Sequence, residues 1–358
     1  MKTLTKLTLA SLATAAFSTA YANDLAGKSW SEIEAQAKKE GNVTVSIWYL
    51  QPQFRTFVKQ FEQEYGIKVK IPEGTLDGNI NKLFAEQNQT KGKMDVVAFG
   101  AEKLPSIVKS GALAEINQMP EFPKLNHSLQ GIDFGNYAVG FWGNQTGFAY
   151  DPLKISEDKL PQSWQDLEAY IKANPKKFGY SDPNGGGSGG AFIQRASINV
   201  SGEYDYRNTE PNPEQIAKWD KTWQWFVDNK ENLTRTSSNA DSLTRLNDGE
   251  LDVVAAWQDH LFSLQKQGAI TPRLKFYVPQ FGMPGGGNVL TVAKNAPNPA
   301  ASLVFINWMA SRPTQDKLAA ELGSRPLDKS SGEQGVHSFS HPWSKAQIAA
   351  FTKEVVSR

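Results

Sequence analysis

Short apolar runs alternate with helical patterns along the first third of the chain. Residues 42–50 are rich in β-branched and aromatic side chains, which is typical of a strand. Phe54, Phe57 and Phe61 follow at helical spacing, and Gly66 ends that pattern. The further elements predicted here are a strand at 67–71, a helix at 77–88, a strand at 94–100 and a helix at 102–113. This alternation of strands and helices predicts a parallel sheet with helices on both faces.

The middle of the chain repeats the pattern. A predicted strand at residues 146–152 leads to a helix at 164–171, for which Ser163 is the expected N-cap. A long helical region at 213–233 precedes a second short apolar strand at 251–257. The sequence therefore predicts two α/β lobes. Ligands of such sheets bind beyond the carboxyl ends of the strands, so both lobes are expected to face one cleft.

Aromatic, amide and acidic residues stand at or just after these strand ends, and the aromatic ones are suited to stacking on a flat ring. Two alternatives stay open: Trp48 and Trp257 suit a core equally well, and Asp77, Glu102 and Asp259 suit solvated or helix-capping positions. The candidate ligand-binding residues from this pattern are Trp48, Tyr49, Asp77, Asn79, Glu102, Trp142, Trp257, Gln258 and Asp259.

A glycine run at residues 185–190 directly precedes a helix-compatible segment. A dinucleotide site would need a second strand ending in an acid, and the polar segment after Ala196 lacks one. A Walker loop is excluded because no Gly-Lys-Ser/Thr follows. Glycine admits a ligand close to the backbone, and a helix start attracts anions. The run therefore predicts an anion site at Gly187, Ser188, Gly189 and Gly190, with a plain connector as the alternative.

An enzymatic interpretation of the same run is the distant alternative. Residues 186–190 fit the letters G-x-S-x-G, which would make Ser188 the nucleophile of a serine hydrolase. Asp182 and Pro183 interrupt the strand that a nucleophile elbow needs, and the adjacent Asp259 and His260 are a poor layout for a catalytic triad. We therefore expect no enzyme activity, no cofactor and no metal.

The N-terminus and the composition indicate export. Residues 1–22 have a basic start, a short apolar run and an A-x-A ending, which predicts a signal peptide cleaved after Ala22. The chain has no cysteine and a net charge of +1 without a basic stripe. We therefore expect a periplasmic protein that is not a lipoprotein and binds neither nucleic acid nor membrane.

Several motifs, in order, resemble the extracellular solute-binding proteins of ABC importers, which have the periplasmic binding protein type II fold. The most specific is the C-terminal strand, turn and helix. The motifs are "VTVSIWY", "MDVVAFGAEKLPSIVKSGALAEI", "GFAYDP", "PQSWQDLEAY", "LNDGELDVVAAW" and "GGGNVLTVAKNAPNPAASLVFINWMASRPTQDKLA".

The resemblance implies a monomer that closes on a small solute and delivers it to an inner-membrane permease with its ATPase. It implies two α/β lobes, each with a mostly parallel sheet, and a cleft between them. The first lobe would comprise residues 23–146 and 279–311, and the second lobe 147–278 and 312–358. The hinge strands would lie near residues 147–150 and 278–281.

Ligands in this family include iron, polyamines, sugars, thiamine and phosphorylated compounds. Iron is disfavoured because the chain lacks the adjacent tyrosines of ferric binders. A ring-stacking cleft together with an anion site favours thiamine phosphate or pyridoxal phosphate. A polyamine, recognised by Asp77, Glu102 or Asp259, and a sugar are the alternatives.

Overall fold

The computed structural model of the chain describes residue 25 and residues 27–129, 131–327 and 336–357. The predicted signal peptide lies outside these residues. Within the described ranges, no helix combines the length and the apolar character needed to cross a bilayer.

The N-terminal part confirms the predicted alternation of strands and helices. The first strand ends at Ser46 rather than at residue 50, since its pairing with β3 ends there. Leu50, with a φ of 48°, is the N-cap of the next helix, and Pro52 stands in the first turn. In chain order the elements are α1 (Trp30–Glu40), β1 (Asn42–Ser46), α2 (Gln51–Phe57), α3 (Lys59–Tyr65), β2 (Lys68–Lys70), α4 (Leu76–Glu86), β3 (Val96–Gly100), α5 (Leu104–Ser110), β4 (Leu113–Ala114), β5 (Ser128–Leu129), β6 (Ile132–Asp133) and β7 (Val139–Tyr150).

The second part begins with a helix that has both halves of a capping box. Ser163 is the N-cap, as the sequence predicts: it accepts a hydrogen bond from the Asp166 amide, and Asp166 in turn accepts one from the Ser163 amide. The remaining elements are α6 (Trp164–Ala173), β8 (Phe178–Ser181), α7 (Gly187–Ser201), α8 (Pro213–Lys218), α9 (Asp220–Asp228), β9 (Leu233–Thr236), α10 (Asn239–Asn247), β10 (Val253–Trp257), α11 (Gln258–Lys266), β11 (Lys275–Tyr277), β12 (Gly285–Ala293), α12 (Pro299–Ala310), α13 (Arg312–Leu322) and α14 (His341–Phe351).

One long strand joins two sheet regions. The strand order is β2-β1-β3-β12-β7-β10-β8-β9, with β4 beside β12 and β11 beside β7. β1 is parallel to β2 and β3, and β8 is parallel to β9 and β10, whereas β7 and β12 run antiparallel to their neighbours. β7 pairs with β12 through Gln145 and with β10 from Thr146 onward. The predicted two-lobed α/β architecture is confirmed.

Two large hydrophobic clusters lie on either side of this crossing. The first surrounds β1 and β3, and the second surrounds β8 and α7. Leu318 and Leu322 of α13 are buried in the first cluster, whereas Trp343 of α14 is buried in the second. The lobe bounds stay a prediction, and we propose to assign α13 to the first lobe because its apolar face packs there.

Candidate ligand-binding cleft

The carboxyl ends of β1 and β3 bring Tyr49 and Glu102 to the same edge of the first lobe. Asn288 of β12 pairs with Gly100 in the sheet and donates a hydrogen bond from Nδ2 to the Tyr49 hydroxyl at 2.8 Å. The Glu102 carboxylate folds back over Gly100, so that a Cβ added to Gly100 would lie 2.2 Å from Glu102 Oε2. Asn288 therefore bonds Tyr49 directly and lies beside the strand end that precedes Glu102.

The second lobe contributes Asp259 from the first turn of α11. Trp142 of β7 donates a hydrogen bond from Nε1 to Asp259 Oδ2 at 2.9 Å. The Trp142 ring also lies 5.3 Å from the Tyr49 ring, centroid to centroid. Direct contacts therefore join Tyr49, Trp142 and Asp259, and Glu102 stands at the same edge of the first lobe as Tyr49. These four residues form the candidate site.

Both carboxyl groups of the candidate site, Asp259 and Glu102, have a raised pKa. Burial raises the pKa of Asp259 to about 6, although hydrogen bonds from Trp142 and the His260 amide act in the opposite direction. Burial also raises the pKa of Glu102, partly offset by the nearby charge of Lys103. Within the described part of the chain, neither carboxylate forms an ion pair. Both groups would gain from a cation placed in the cleft, since an unpaired, partly buried charge is unfavourable.

The predicted aromatic residues of the first lobe differ in their burial. Trp48 and Tyr49 are partly buried, and their rings meet edge to face at 4.6 Å. Trp142 is fully buried, which disfavours its predicted stacking on a ligand. Its indole packs against Tyr49 and donates a hydrogen bond to Asp259.

The glycine run differs from its predicted conformation. α7 begins inside the run, at Gly187, so that residues 187–190 form the first turn of the helix rather than a loop before it. A Cβ on Gly189 would lie 1.7 Å from the Ser181 carbonyl oxygen, and one on Gly185 would lie 1.9 Å from the Ser237 carbonyl oxygen. At these two positions glycine is required for close packing of the chain against itself.

The amide groups at the start of α7 already have acceptors within the protein. The Ser188 amide donates to Asn239 Oδ1 at 3.2 Å, and the Gly189 amide donates to Ser181 Oγ at 3.0 Å. The Ser188 side chain is fully buried and donates to Asn239 Oδ1 at 2.7 Å. These groups satisfy the helix end internally, which disfavours the anion site predicted at Ser188 and Gly189.

Gly187 and Gly190 lie on the open side of the same turn. A Cβ on Gly187 would lie 3.2 Å from Nε1 of Trp257, and a Cβ on Gly190 would have no neighbour within 4 Å. Trp257 is partly buried at the end of β10. A planar ligand group would therefore find an indole edge and exposed backbone here.

The remaining predicted residues of the cleft are two exposed polar side chains and one buried amide. Asp77 is exposed in the first turn of α4, and Gln258 is exposed at the start of α11. Asn79 is buried against Gly74, where a Cβ on the glycine would lie 2.5 Å from its Oδ1. Their assignment as ligand contacts stays a prediction, and the buried position of Asn79 favours a structural role for that residue.

Four residues that the sequence did not single out complete the surroundings. Asn288 donates a hydrogen bond to Tyr49, and Asn239 of α10 accepts one from the Ser188 amide at the start of α7. Lys103, which is 8% exposed, hydrogen-bonds His341 across the cleft, with Nζ and Nδ1 3.1 Å apart. Of these four residues, Asn288 is the one that the sequence could have indicated, because it is a polar residue within an apolar strand.

A separate cavity of about 600 Å³ lies beside the second half of α7. Arg195 lines this cavity, is buried and donates from Nη2 to the Phe281 carbonyl at 2.5 Å. His337 and Tyr204 lie on other walls. Arg195 therefore serves the junction with residue 281 rather than the cleft that holds Asp259.

A metal site has no support in the described residues. Within them, no three His, Asp or Glu side chains are grouped so that they could hold a metal ion. The expectation that the chain does not bind iron stays a prediction.

The sequence family follows from comparison with known proteins. The family model of bacterial extracellular solute-binding proteins matches residues 56–352. The chain belongs to this family. An Fe(3+)-binding periplasmic protein from Serratia marcescens is 24% identical over 278 residues, which cover 74% of this chain and 72% of that protein.

Solved structures with the same fold carry names that refer to different solutes. The periplasmic binding protein AfuA from Actinobacillus pleuropneumoniae, with fructose-6-phosphate bound, has a TM-score of 0.63 and 17% identity over 89% of this chain and 99% of AfuA. The spermidine/putrescine substrate-binding protein PotD from Streptococcus pneumoniae has a TM-score of 0.62 and 15% identity over 87% of this chain and 98% of PotD. The predicted family and the two-lobed type II fold are confirmed.

Proposed function

We propose that this solute-binding protein is the periplasmic receptor of an ABC importer and that its ligand is a small organic cation held between the lobes. The receptor would pass the ligand to an inner-membrane permease with its ATPase, as a monomer and after removal of residues 1–22. Family membership supports the transport role, and the PotD likeness supports a polyamine as the first candidate.

Two carboxyl groups, those of Glu102 and Asp259, carry the assignment of ligand class. Each is partly buried, and among the described residues neither forms an ion pair, although the charge of Lys103 acts on Glu102. Tyr49 contacts the indole that bonds Asp259, and its ring also meets that of Trp48; aromatic faces attract cations. An ammonium group bound here would pair with a charge that folding leaves uncompensated.

A phosphorylated ring compound, such as thiamine phosphate or pyridoxal phosphate, is the second candidate. The open side of Gly187 and Gly190 beside Trp257 favours it, as does the fructose-6-phosphate bound to AfuA. The internally bonded amides of Ser188 and Gly189 weaken it. A sugar would use the same cleft, but no observed group distinguishes it.

A hydrolase role for Ser188 has less support. An elbow serine needs an exposed hydroxyl that meets a general base. The Ser188 hydroxyl is instead fully buried, where it is bonded to Asn239 and lies 3.2 Å from Ser181 Oγ.

Thermal unfolding and calorimetry against a ligand panel test the proposal. The panel contains spermidine, putrescine, thiamine phosphate, pyridoxal phosphate, fructose-6-phosphate, inorganic phosphate and ferric ion. A ligand at roughly a hundred times its Kd adds about 2.7 kcal/mol to the free energy of unfolding, which is readily seen. We expect a polyamine to stabilise the protein. E102Q and D259N should each weaken its binding about tenfold or more, because each removes a charge-assisted hydrogen bond.

D252N is the matched control, since Asp252 is a partly buried acid at the opposite end of β10. Its polyamine affinity should equal that of the wild type. Stabilisation by phosphate compounds alone, unaffected by E102Q and D259N, would contradict a cationic ligand. No stabilisation by any small solute would contradict the receptor role in this cleft.

A further inference from the structure

A lysine comes next in sequence to the carboxylate that is proposed to bind the ligand's cation. Lys103 follows Glu102 in the chain, and its charge acts on the Glu102 carboxyl group. A free lysine there would neutralise Glu102 and repel an incoming ammonium group. In the described part of the chain, however, Lys103 forms no ion pair with any acid.

The Lys103 ammonium is instead directed to the other lobe. Its Nζ lies 3.1 Å from Nδ1 of His341, the first residue of α14. An ammonium group can only donate, so Nδ1 must be the unprotonated nitrogen of the imidazole ring. α14 packs on α7, so this hydrogen bond connects the first lobe to the second at the edge of the cleft.

We propose that His341 is a positioning residue of the ligand site: it accepts the hydrogen bond of Lys103, draws that ammonium away from Glu102, and so leaves Glu102 free for the ligand's cation. The inference rests on the proposed cationic ligand. It assigns to His341 an effect on affinity that operates through Lys103 and not through contact with the ligand.

The surroundings of His341 favour the neutral ring that this role needs. Burial lowers the pKa of His341, and the charges of Lys103 and Lys345 lower it further, whereas Asp77 of α4 acts to raise it. A positive charge is also unfavourable at the N-terminus of a helix. Near neutral pH the ring can therefore accept the lysine proton donor.

A double-mutant cycle with spermidine as the probe tests this role. H341A should weaken spermidine binding about tenfold, because Lys103 then turns to Glu102 and must be displaced. H341Q should retain most of the affinity, since its side-chain carbonyl also accepts a hydrogen bond. In the K103M background, H341A should have no further effect. H337Q is the matched control, and its affinity should equal that of the wild type.

The same affinity loss from H341A in both backgrounds would show a structural effect of His341 and would overturn the proposal. So would an unchanged affinity of the single H341A variant. Because H341A removes an interlobe contact, unfolding curves of each variant must show that it is folded.

A second readout does not depend on any ligand. Carboxyl-carbon NMR of the unliganded protein should show a lower pKa for Glu102 in H341A than in the wild type, since a new ion pair with Lys103 stabilises the carboxylate. An unchanged Glu102 pKa would overturn the inference. A lowered Glu102 pKa in a protein that binds no cation would retain the inference about His341 and contradict the proposed ligand class.

Discussion

Two opposing effects act on the pKa of the Asp259 carboxyl group. Partial burial disfavours its charge, while the Trp142 indole and the His260 amide donate hydrogen bonds to it. The result is a carboxyl group whose pKa, about 6, lies above its usual range. Its charge is therefore available to a ligand but depends on pH.

We expect the affinity for spermidine to decrease as the pH falls from about 7 to about 5, because protonation of Asp259 removes the charge that holds the ammonium group. The pKa of about 6 in the unliganded protein sets the midpoint, and binding near that pH should release protons. Calorimetry in buffers of different ionisation enthalpy measures both effects. D259N should show a weaker and flatter profile. An affinity that does not change across this range would argue against Asp259 as the cation's partner.

Local pattern predicts where a residue stands along its strand but not what it contacts. Glu102 and Asp259 follow the buried strands β3 and β10, as the sequence indicates, and their role in ligand binding stays a prediction. Trp142 was predicted to contact the ligand, but its indole is buried and donates its N–H to Asp259, and local pattern does not reveal a contact between residues 117 positions apart in the chain. His341 and Asn288 were missed for the same reason: only folding brings them beside Lys103 and Tyr49.

At the scale of the element, α7 shows why a glycine run can mislead. Periodicity predicted that the helix begins after the run, since glycine is a poor helix former. The structure places four residues of the run inside the helix because the first turn packs directly on the end of β8. Glycine is required both where two backbone segments pack closely and where a ligand approaches the backbone, so a glycine run alone does not distinguish the two.

Two alanine substitutions in this turn should have opposite effects on stability. G189A should lower the free energy of unfolding by about 1–3 kcal/mol, because its Cβ would collide with the Ser181 carbonyl. G190A should be neutral or stabilising by up to about 1 kcal/mol, since its Cβ meets open space and alanine favours the helix. Urea unfolding of both variants measures the difference. Equal stabilities would mean that the turn does not pack as described.

At the scale of the whole molecule, one sheet connects both lobes through β7. The strand changes partner from β12 to β10 between Gln145 and Thr146. The predicted hinge at residues 147–150 lies just beyond that change, and its position stays a prediction. The bonds from Trp142 to Asp259 and from Lys103 to His341 cross between the lobes, so the described arrangement has the contacts expected of a closed cleft.

Because these two contacts cross the cleft and a ligand would add to them, we expect spermidine to shift the molecule towards the closed state. Small-angle X-ray scattering should show a smaller radius of gyration at a saturating spermidine concentration than without ligand. D259N at the same concentration should keep the larger radius, since it lacks the charge that draws the second lobe onto the cation. An equal decrease in D259N would mean that closure does not depend on Asp259. A wild-type radius that does not respond to bound spermidine would show that the lobes are already closed before the ligand binds.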